Sequence, residues 1–298
     1  MFFSLGTAYT IDGDCPYLRK RRLRKMIDEA VFLYRRAAAV LREEAAQPQR
    51  GSPVDQLAKA VLGDAASPEE YLQIAVVFDA IITGVGVEDP RSGYDIRFFC
   101  TDQFIAPAQT GGSYMEKFDL RSLGLDAARV PAEYLSPDRR YLLIPISGEP
   151  GRDPYATTRT VFPGNKLYRY IHRIIPSAGQ YRFSNIVVHD NLFSKEFVIR
   201  DKAKSIKDFS PTGLRGIRYN IRDYRNTPGS MAIMHELIHS VANPNPKEDH
   251  AVIIGGVPGT TGAQRDANYW LDVTLLARSG TDRSNILTNP GTLVWLAF

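Results

Sequence analysis

Residues 231–241 read Met-Ala-Ile-Met-His-Glu-Leu-Ile-His-Ser-Val, and two of the chain's five histidines stand there, four residues apart around a glutamate. Residues four apart share a face of an α-helix, so the imidazoles of His235 and His239 can reach one metal ion. Glu236 lies one position further along, where its carboxylate can address a metal-bound water instead of the metal. The pattern predicts a zinc-binding helix, against the alternative of an ordinary helix that happens to carry these residues.

The flanking sequence predicts that this helix has about three turns. A turn-rich stretch over residues 226–230 precedes it and offers Ser230 as the N-cap. Apolar residues continue to Val241, and the Asn-Pro-Asn-Pro run at 243–246 ends the helix because proline cannot continue the hydrogen-bond ladder. Histidine and glutamate buried on so apolar a helix need partners, and a metal ion would serve.

A zinc site needs a third protein ligand, and five downstream residues have suitable side chains. They are Glu248, Asp249, His250, Asp266 and Asp272. A third histidine six residues after the second is excluded, since position 245 is Asn. The candidates at 248–250 follow a loop rich in proline and asparagine, where acidic residues are usually just solvated.

Asp266 opens a segment that predicts a second helix, running to about Ala277. Tyr269 follows three residues later and would share a helix face with Asp266. A carboxylate and a phenol on one face supply a zinc ligand and a hydrogen-bond donor for a developing oxyanion. The same spacing is equally compatible with an aspartate favoured by the helix dipole and a tyrosine packed in the core.

The histidine pair followed by Asp-x-x-Tyr resembles the aspzincin metallopeptidases, the deuterolysin and peptidyl-Lys metalloendopeptidase group, and in particular their divergent fungal secreted branch. The resemblance implies a set of zinc ligands and catalytic residues. The implied ligands are His235, His239 and Asp266, the implied base that activates water is Glu236, and the implied helper of the transition state is Tyr269.

The segment around Asp266 departs from the family pattern Gly-Thr-x-Asp-x-x-Tyr-Gly. Ala263-Gln264 replace Gly-Thr, and Trp270 replaces the last glycine. Asp266 also lies 27 residues beyond His239, a longer gap than in the compact members. Asp249 and His250 are therefore kept as reserve ligands, and Glu248 as a further alternative.

The resemblance also implies a fold, an activity and a location. The fold is zincin-like α+β, with N-terminal helices, a small mixed sheet and an active-site helix that carries the HExxH motif. The activity is that of a zinc-dependent metalloendopeptidase, a hydrolase that acts on a protein or peptide substrate. The location is extracellular, although residues 1–6 are too short and lack the charged start of a full secretory signal. The alternative is a secreted effector or binding protein that keeps the zincin scaffold, with weak or no proteolysis.

The chain has two cysteines, Cys15 and Cys100. Their number alone is compatible with two unrelated buried thiols or with a disulfide bond. A disulfide would tie the first helix to a strand and close a loop of about 85 residues, which contributes about 4 kcal/mol in the chain-entropy model. The family resemblance favours the disulfide.

Composition and charge restrict the partners. The 298 residues are 44% hydrophobic, enough for a sizeable core in one large domain or two lobes. No run approaches 18 apolar residues, so we expect no membrane partner. The net charge of +4 is mild and no recognition motif accompanies it, so we expect no nucleic-acid partner. A basic run over residues 19–25 is predicted to be the solvated face of an amphipathic helix, and the oligomeric state stays open.

Hydrophobic periodicity predicts helices first, mixed structure next and the motif helix last, in one metallopeptidase-like domain of residues 1–298. Within it, residues 1–90 form a helical lobe, and residues 91–298 form the lobe of the sheet and the active site. The predicted helices are 16–46, 53–62 and 68–83, and the predicted strands are 94–100, 141–146 and 185–188. Stretches 101–137 and 147–164, rich in Gly, Pro, Ser and Asp, are predicted to be long loops that shape a cleft.

Overall fold

The computed structural model describes most of the N-terminal third of the chain and separate segments of the rest. The described residues are 8–12, 15–88, 96–100, 105–107, 114–120, 125–146, 156–161, 183–193, 229–241, 251–254, 263–266, 270–278 and 283–297. Helices and small sheets both occur among them, so the α+β class is confirmed at this level. The finer zincin-like architecture stays a prediction.

The helices of the N-terminal third lie where the sequence predicts them. They are α1 (Tyr17–Ala46), α2 (Pro53–Leu62) and α3 (Pro68–Val85). Arg21, Arg22 and Lys25 of α1 are exposed. Six hydrophobic residues of α1 recur at alternating spacings of four and three and are buried: Leu23, Ile27, Ala30, Tyr34, Ala37 and Leu41. The basic run is therefore the solvent-facing side of an amphipathic helix, as predicted.

Side-chain caps fix the start of both shorter helices. The Ser52 hydroxyl accepts a hydrogen bond from the Asp55 amide at 3.0 Å, and Pro53 occupies the first helical position of α2. Before α3, the Ser67 amide donates to the Glu70 carboxylate at 2.9 Å and the Glu70 amide donates to the Ser67 hydroxyl at 3.4 Å. This reciprocal pair is a capping box, and it sets the start of α3 locally.

The chain forms two compact units, each made of two separated segments. The first unit comprises Met1–Leu23 and Gly84–Ser194, and the second comprises Arg24–Thr83 and Lys195–Phe298. α1 contributes its first residues to the first unit and the remainder to the second. The proposed division into lobes at residues 1–90 and 91–298 remains a prediction about domain organisation.

A five-stranded mixed sheet forms the core of the first unit. Its strands are β1 (Ala8–Ile11), β2 (Val87–Glu88), β3 (Ile96–Phe99), β7 (Ala156–Val161) and β8 (Phe183–Val188). Their order is β2-β1-β3-β8-β7, with parallel pairing throughout except between β7 and β8. Every residue of β3 is buried, which is typical of a parallel strand covered on both faces.

Arg97 is the charged residue within β3, and it is only 6% exposed. Its guanidinium forms an ion pair with the carboxylate of Asp12, which follows β1, and lies 4.8 Å from the centroid of the Phe99 ring. The ion pair therefore links two adjacent parallel strands.

Three further strands of the first unit form an antiparallel sheet. They are β4 (Ile105–Pro107), β5 (Tyr114–Asp119) and β6 (Tyr141–Ile146), in that order, and β6 has the predicted bounds. The predicted loop over 101–137 is wrong where β4, β5 and two short 3-10 helices lie, and β7 occupies part of the second predicted loop. Pairing with neighbouring strands, rather than intrinsic propensity, stabilises such short segments.

A disulfide joins Cys15, just before α1, to Cys100, just after β3. Both residues are buried, at 3% and 1% exposure. The prediction of this bond is confirmed.

Among the described residues, the second unit contains four more helices and a hairpin besides α2, α3 and most of α1. These elements are α4 (Gly229–Val241), β9 (Ala251–Ile254), β10 (Ala263–Asp266), α5 (Trp270–Arg278), α6 (Arg283–Thr288) and α7 (Pro290–Ala297). α7 is buried along its entire length and packs against α2, α4, α5 and α6, so it is the central helix of this group. In the described part of the chain, none of the helices combines the length and apolar character needed to cross a membrane.

Candidate metal centre

α4 carries the histidine motif and is largely buried. Ile233, Met234, Leu237 and Ile238 are each 0% exposed. The helix begins at Gly229, so Ser230 lies in the first turn and not at the N-cap that the sequence predicts. A helix with apolar residues on most of its surface belongs in a protein core, and this places the histidine motif against packed helices.

The rings of His235 and His239 approach each other on one side of α4. Their Nε2 atoms are 3.0 Å apart, and their centroids are 4.7 Å apart with the ring planes inclined by 71°. Two nitrogens bound to one tetrahedral zinc ion lie roughly 3.3 Å apart, from zinc–nitrogen bonds of about 2.0–2.1 Å. The spacing of the two rings thus fits a shared metal ion, and it equally fits a hydrogen bond between neutral imidazoles.

Glu236 is 5% exposed, whereas both histidines keep partial access to solvent. Its main-chain carbonyl accepts a hydrogen bond from the Ser240 hydroxyl at 2.8 Å. A carboxylate next to two imidazoles that could hold a metal ion, largely shielded from bulk water, is suited to accept a proton from a water molecule bound in the same place. The donor types therefore fit zinc: two imidazole nitrogens that converge, with a glutamate beside them.

Asp266 is the last residue of a strand, which corrects the helix predicted from the sequence. β10 pairs antiparallel with β9, and Asp266 is opposite Ala251. Because Asp266 is in a strand, it does not share a helix face with Tyr269, which lies outside the described residues; the next described helix begins at Trp270. The run Ala-Val-Ile-Ile at 251–254, followed by a glycine-rich stretch, is a hairpin signal that could have revealed β9 and β10.

α4 supplies two histidines, so a third ligand to the same metal ion would have to come from residues beyond α4. Only the backbone of Asp266 is described, and the remaining predicted site residues lie outside the described residues: Glu248, Asp249, His250 and Tyr269. Among the side chains that are described, no three His, Cys, Asp or Glu residues form a metal-binding group. Asp272 is one of these side chains: it is fully buried on α5 and forms no metal-binding group with the histidine pair in the described part of the chain.

One contact to the motif helix comes from α1, far away in the sequence. The hydroxyl of Tyr34, on α1, donates a hydrogen bond to the main-chain carbonyl of Met234 at 2.7 Å. Met234 immediately precedes His235. The two partners are 200 residues apart in the chain, and no local sequence signal pairs them.

No protein-family model, no curated protein and no solved structure matches this chain.

Proposed function

We propose that the protein is a zinc-dependent metalloendopeptidase of the aspzincin type, in which His235, His239 and Asp266 hold the metal ion. The observation that carries this proposal is the convergence of the two Nε2 atoms, 3.0 Å apart, beside the largely buried Glu236. A zinc ion bound there would supply a Lewis acid that polarises a peptide carbonyl and makes water acidic near neutral pH.

The protein's own residues then have distinct tasks in peptide hydrolysis. Glu236 accepts the proton of the attacking water and passes it to the leaving amine as the carbon–nitrogen bond breaks. Tyr269 donates a hydrogen bond to the oxyanion that develops on the scissile carbonyl. The substrate is a protein or peptide, and neither nucleic acid nor membrane is part of the proposal. Disulfides persist in oxidising compartments, so the bond between Cys15 and Cys100 supports the proposal that the protein is secreted.

The test is the substitution Glu236→Gln. We expect the variant to bind one zinc ion per chain, as the wild type does, and to hydrolyse casein at least about 100-fold more slowly, because a carboxamide cannot accept the proton. Glu69→Gln is the matched control, since it makes the same change at an exposed glutamate of α3. Metal content by mass spectrometry and casein hydrolysis before and after chelation measure both properties.

Wild-type turnover by Glu236→Gln would refute the catalytic assignment. A second function is favoured by the strand position of Asp266: a secreted effector or binding protein that keeps the scaffold without proteolysis. Wild-type protein that binds zinc stoichiometrically but cleaves no peptide supports that second function. Wild-type protein that binds no zinc contradicts both.

A further inference from the structure

We infer that Tyr34 is a positioning residue for the candidate metal centre, acting through the main chain of α4. The inference rests on the proposed function, because it assigns a role in holding the histidine pair where a third ligand can join it. Tyr34 touches neither histidine side chain in the contacts described above. Its influence runs through the Met234 carbonyl and the peptide bond that this carbonyl shares with His235.

The surroundings of Tyr34 restrict it to one orientation. The residue is 0% exposed, and its ring packs against Phe78 of α3 with centroids 4.9 Å apart and planes inclined by 42°. Phe78 is also fully buried. The ring is thus held between α1 and α3, and its hydroxyl reaches α4, so one side chain connects three helices of the second unit.

The hydroxyl makes a directional contact that packing alone would not make. A backbone carbonyl has two lone pairs, and the helical pattern uses one of them for the amide four residues on, which leaves the other for Tyr34. Burial raises the pKa of the Tyr34 hydroxyl well above its ordinary value, so the group is protonated at neutral pH and can donate. A buried hydroxyl without an acceptor would be costly, which makes this contact hard to exchange for another.

The contact of Tyr34 affects where the histidine pair lies, not the distance between its two rings. His235 and His239 belong to one helix, so the helix itself sets their separation. Their third partner comes from a different element, and ligands must stand within a few tenths of an ångström of their ideal distances. A hydrogen bond that fixes the peptide bond before His235 against α1 therefore helps to set where the pair meets that partner.

Tyr34→Phe tests the inference because it removes the hydroxyl and keeps the ring against Phe78. We expect the zinc dissociation constant to rise about tenfold, at the lower end of the range for residues that orient metal ligands from outside the ligand set. We also expect faster hydrogen exchange at the amides of α4 in zinc-free protein. Ser52→Ala is the matched control, since it removes the cap of α2 in the same unit and leaves zinc affinity and α4 exchange unchanged.

The outcomes separate this inference from the proposed function. Zinc affinity of Tyr34→Phe equal to that of the wild type, or weakened no more than in Ser52→Ala, overturns the positioning role while the zinc site stands. Wild-type protein that binds no zinc overturns the proposed function. The hydrogen-exchange measurement then decides whether the Tyr34 hydroxyl fixes α4. Unchanged exchange at α4 in Tyr34→Phe shows that the hydroxyl does not fix the helix, whereas faster exchange confined to α4 supports the contact.

Discussion

The two histidines of α4 need different tautomers with and without zinc. Without a metal ion, the Nε2–H of one ring can donate across 3.0 Å to the Nε2 lone pair of the other. With zinc, both Nε2 lone pairs face the ion and both ring hydrogens sit on Nδ1. A zinc ion in the proposed site would therefore require the ring that donates to move its hydrogen from Nε2 to Nδ1.

The identity of the third ligand can be decided by a comparison of two aspartates. We expect Asp266→Ala to weaken zinc binding by more than about 100-fold, a larger loss than for residues that only orient ligands. We expect Asp272→Asn to bind zinc as the wild type does, because Asp272 does not join the histidine pair. Zinc stoichiometry and affinity by titration calorimetry measure both variants.

Wild-type affinity in Asp266→Ala would remove Asp266 from the site. The reserve ligands Asp249 and His250 would then be substituted by alanine in turn, and loss of zinc in one of them would identify the ligand. Loss of zinc from the Asp272→Asn protein in its folded state would instead identify Asp272 as a ligand.

Among the elements of the second unit, α2, α3 and α6 meet at one ion pair. The Arg283 guanidinium pairs with both carboxylate oxygens of Glu70 and also donates to the Leu62 carbonyl at the end of α2. Gly63 follows with φ +86°, and a Cβ there would lie 3.1 Å from the Ala277 carbonyl oxygen. This end of α2 thus requires glycine for two reasons, its backbone conformation and the close approach of α5.

Glu70→Gln should destabilise the protein in a pH-dependent way. Burial raises the pKa of Glu70, but the hydrogen bonds from Arg283 and from the Ser67 amide outweigh burial and hold this pKa below its ordinary value of 4.5. A carboxyl with a lower pKa in the folded state binds fewer protons there, so its contribution is complete above the unfolded pKa and is lost as the pH falls through the folded pKa. We expect the variant to lose about 2 kcal/mol of unfolding free energy at neutral pH.

Urea unfolding of wild type and Glu70→Gln, in a series from about pH 7 to about pH 2, measures this dependence. The difference in unfolding free energy between the two proteins should shrink on the acid side. Glu69→Gln, one residue away and exposed, should stay within about 0.5 kcal/mol of the wild type. A difference that is the same at every pH would contradict the ion pair.

The sequence predicts well those helices and strands whose bounds are set by residues nearby in the chain. α2 and β6 have the predicted bounds, and α3 extends the predicted helix by two residues, because proline positions, caps and periodicity are all local signals. The hairpin of β9 and β10 was missed because four-residue strands carry little periodicity. The same distinction between local and tertiary causes applies to the candidate site. The spacing within the histidine motif is local, whereas the contact of Tyr34 with Met234 and the strand position of Asp266 depend on tertiary packing.

At the scale of the whole molecule, we expect different interactions to stabilise the two compact units. The first unit contains the disulfide, which joins the start of α1 to the end of β3 across 85 residues of sequence. The second unit contains α4 and the proposed zinc ligands. A ligand that binds the folded state alone stabilises it by about 2.7 kcal/mol when its concentration is 100 times its dissociation constant. Zinc and the disulfide are therefore expected to protect different sets of backbone amides.

The double substitution Cys15→Ala and Cys100→Ala tests whether the disulfide and zinc protect different sets of amides. We expect a loss of about 4 kcal/mol of unfolding free energy in the chain-entropy model, because the unfolded chain is no longer closed into a loop. Alanine suits the site since both cysteines are buried, and a serine hydroxyl there would need a partner.

Hydrogen exchange should quicken at the amides of β1, β3 and β8, while zinc stoichiometry stays that of the wild type. Zinc added to the same variant should slow exchange in α4, since the proposed ligands lie in the second unit. If loss of the disulfide instead abolished zinc binding in folded protein, the histidine pair would depend on the first unit, and the assignment of separate roles would be wrong.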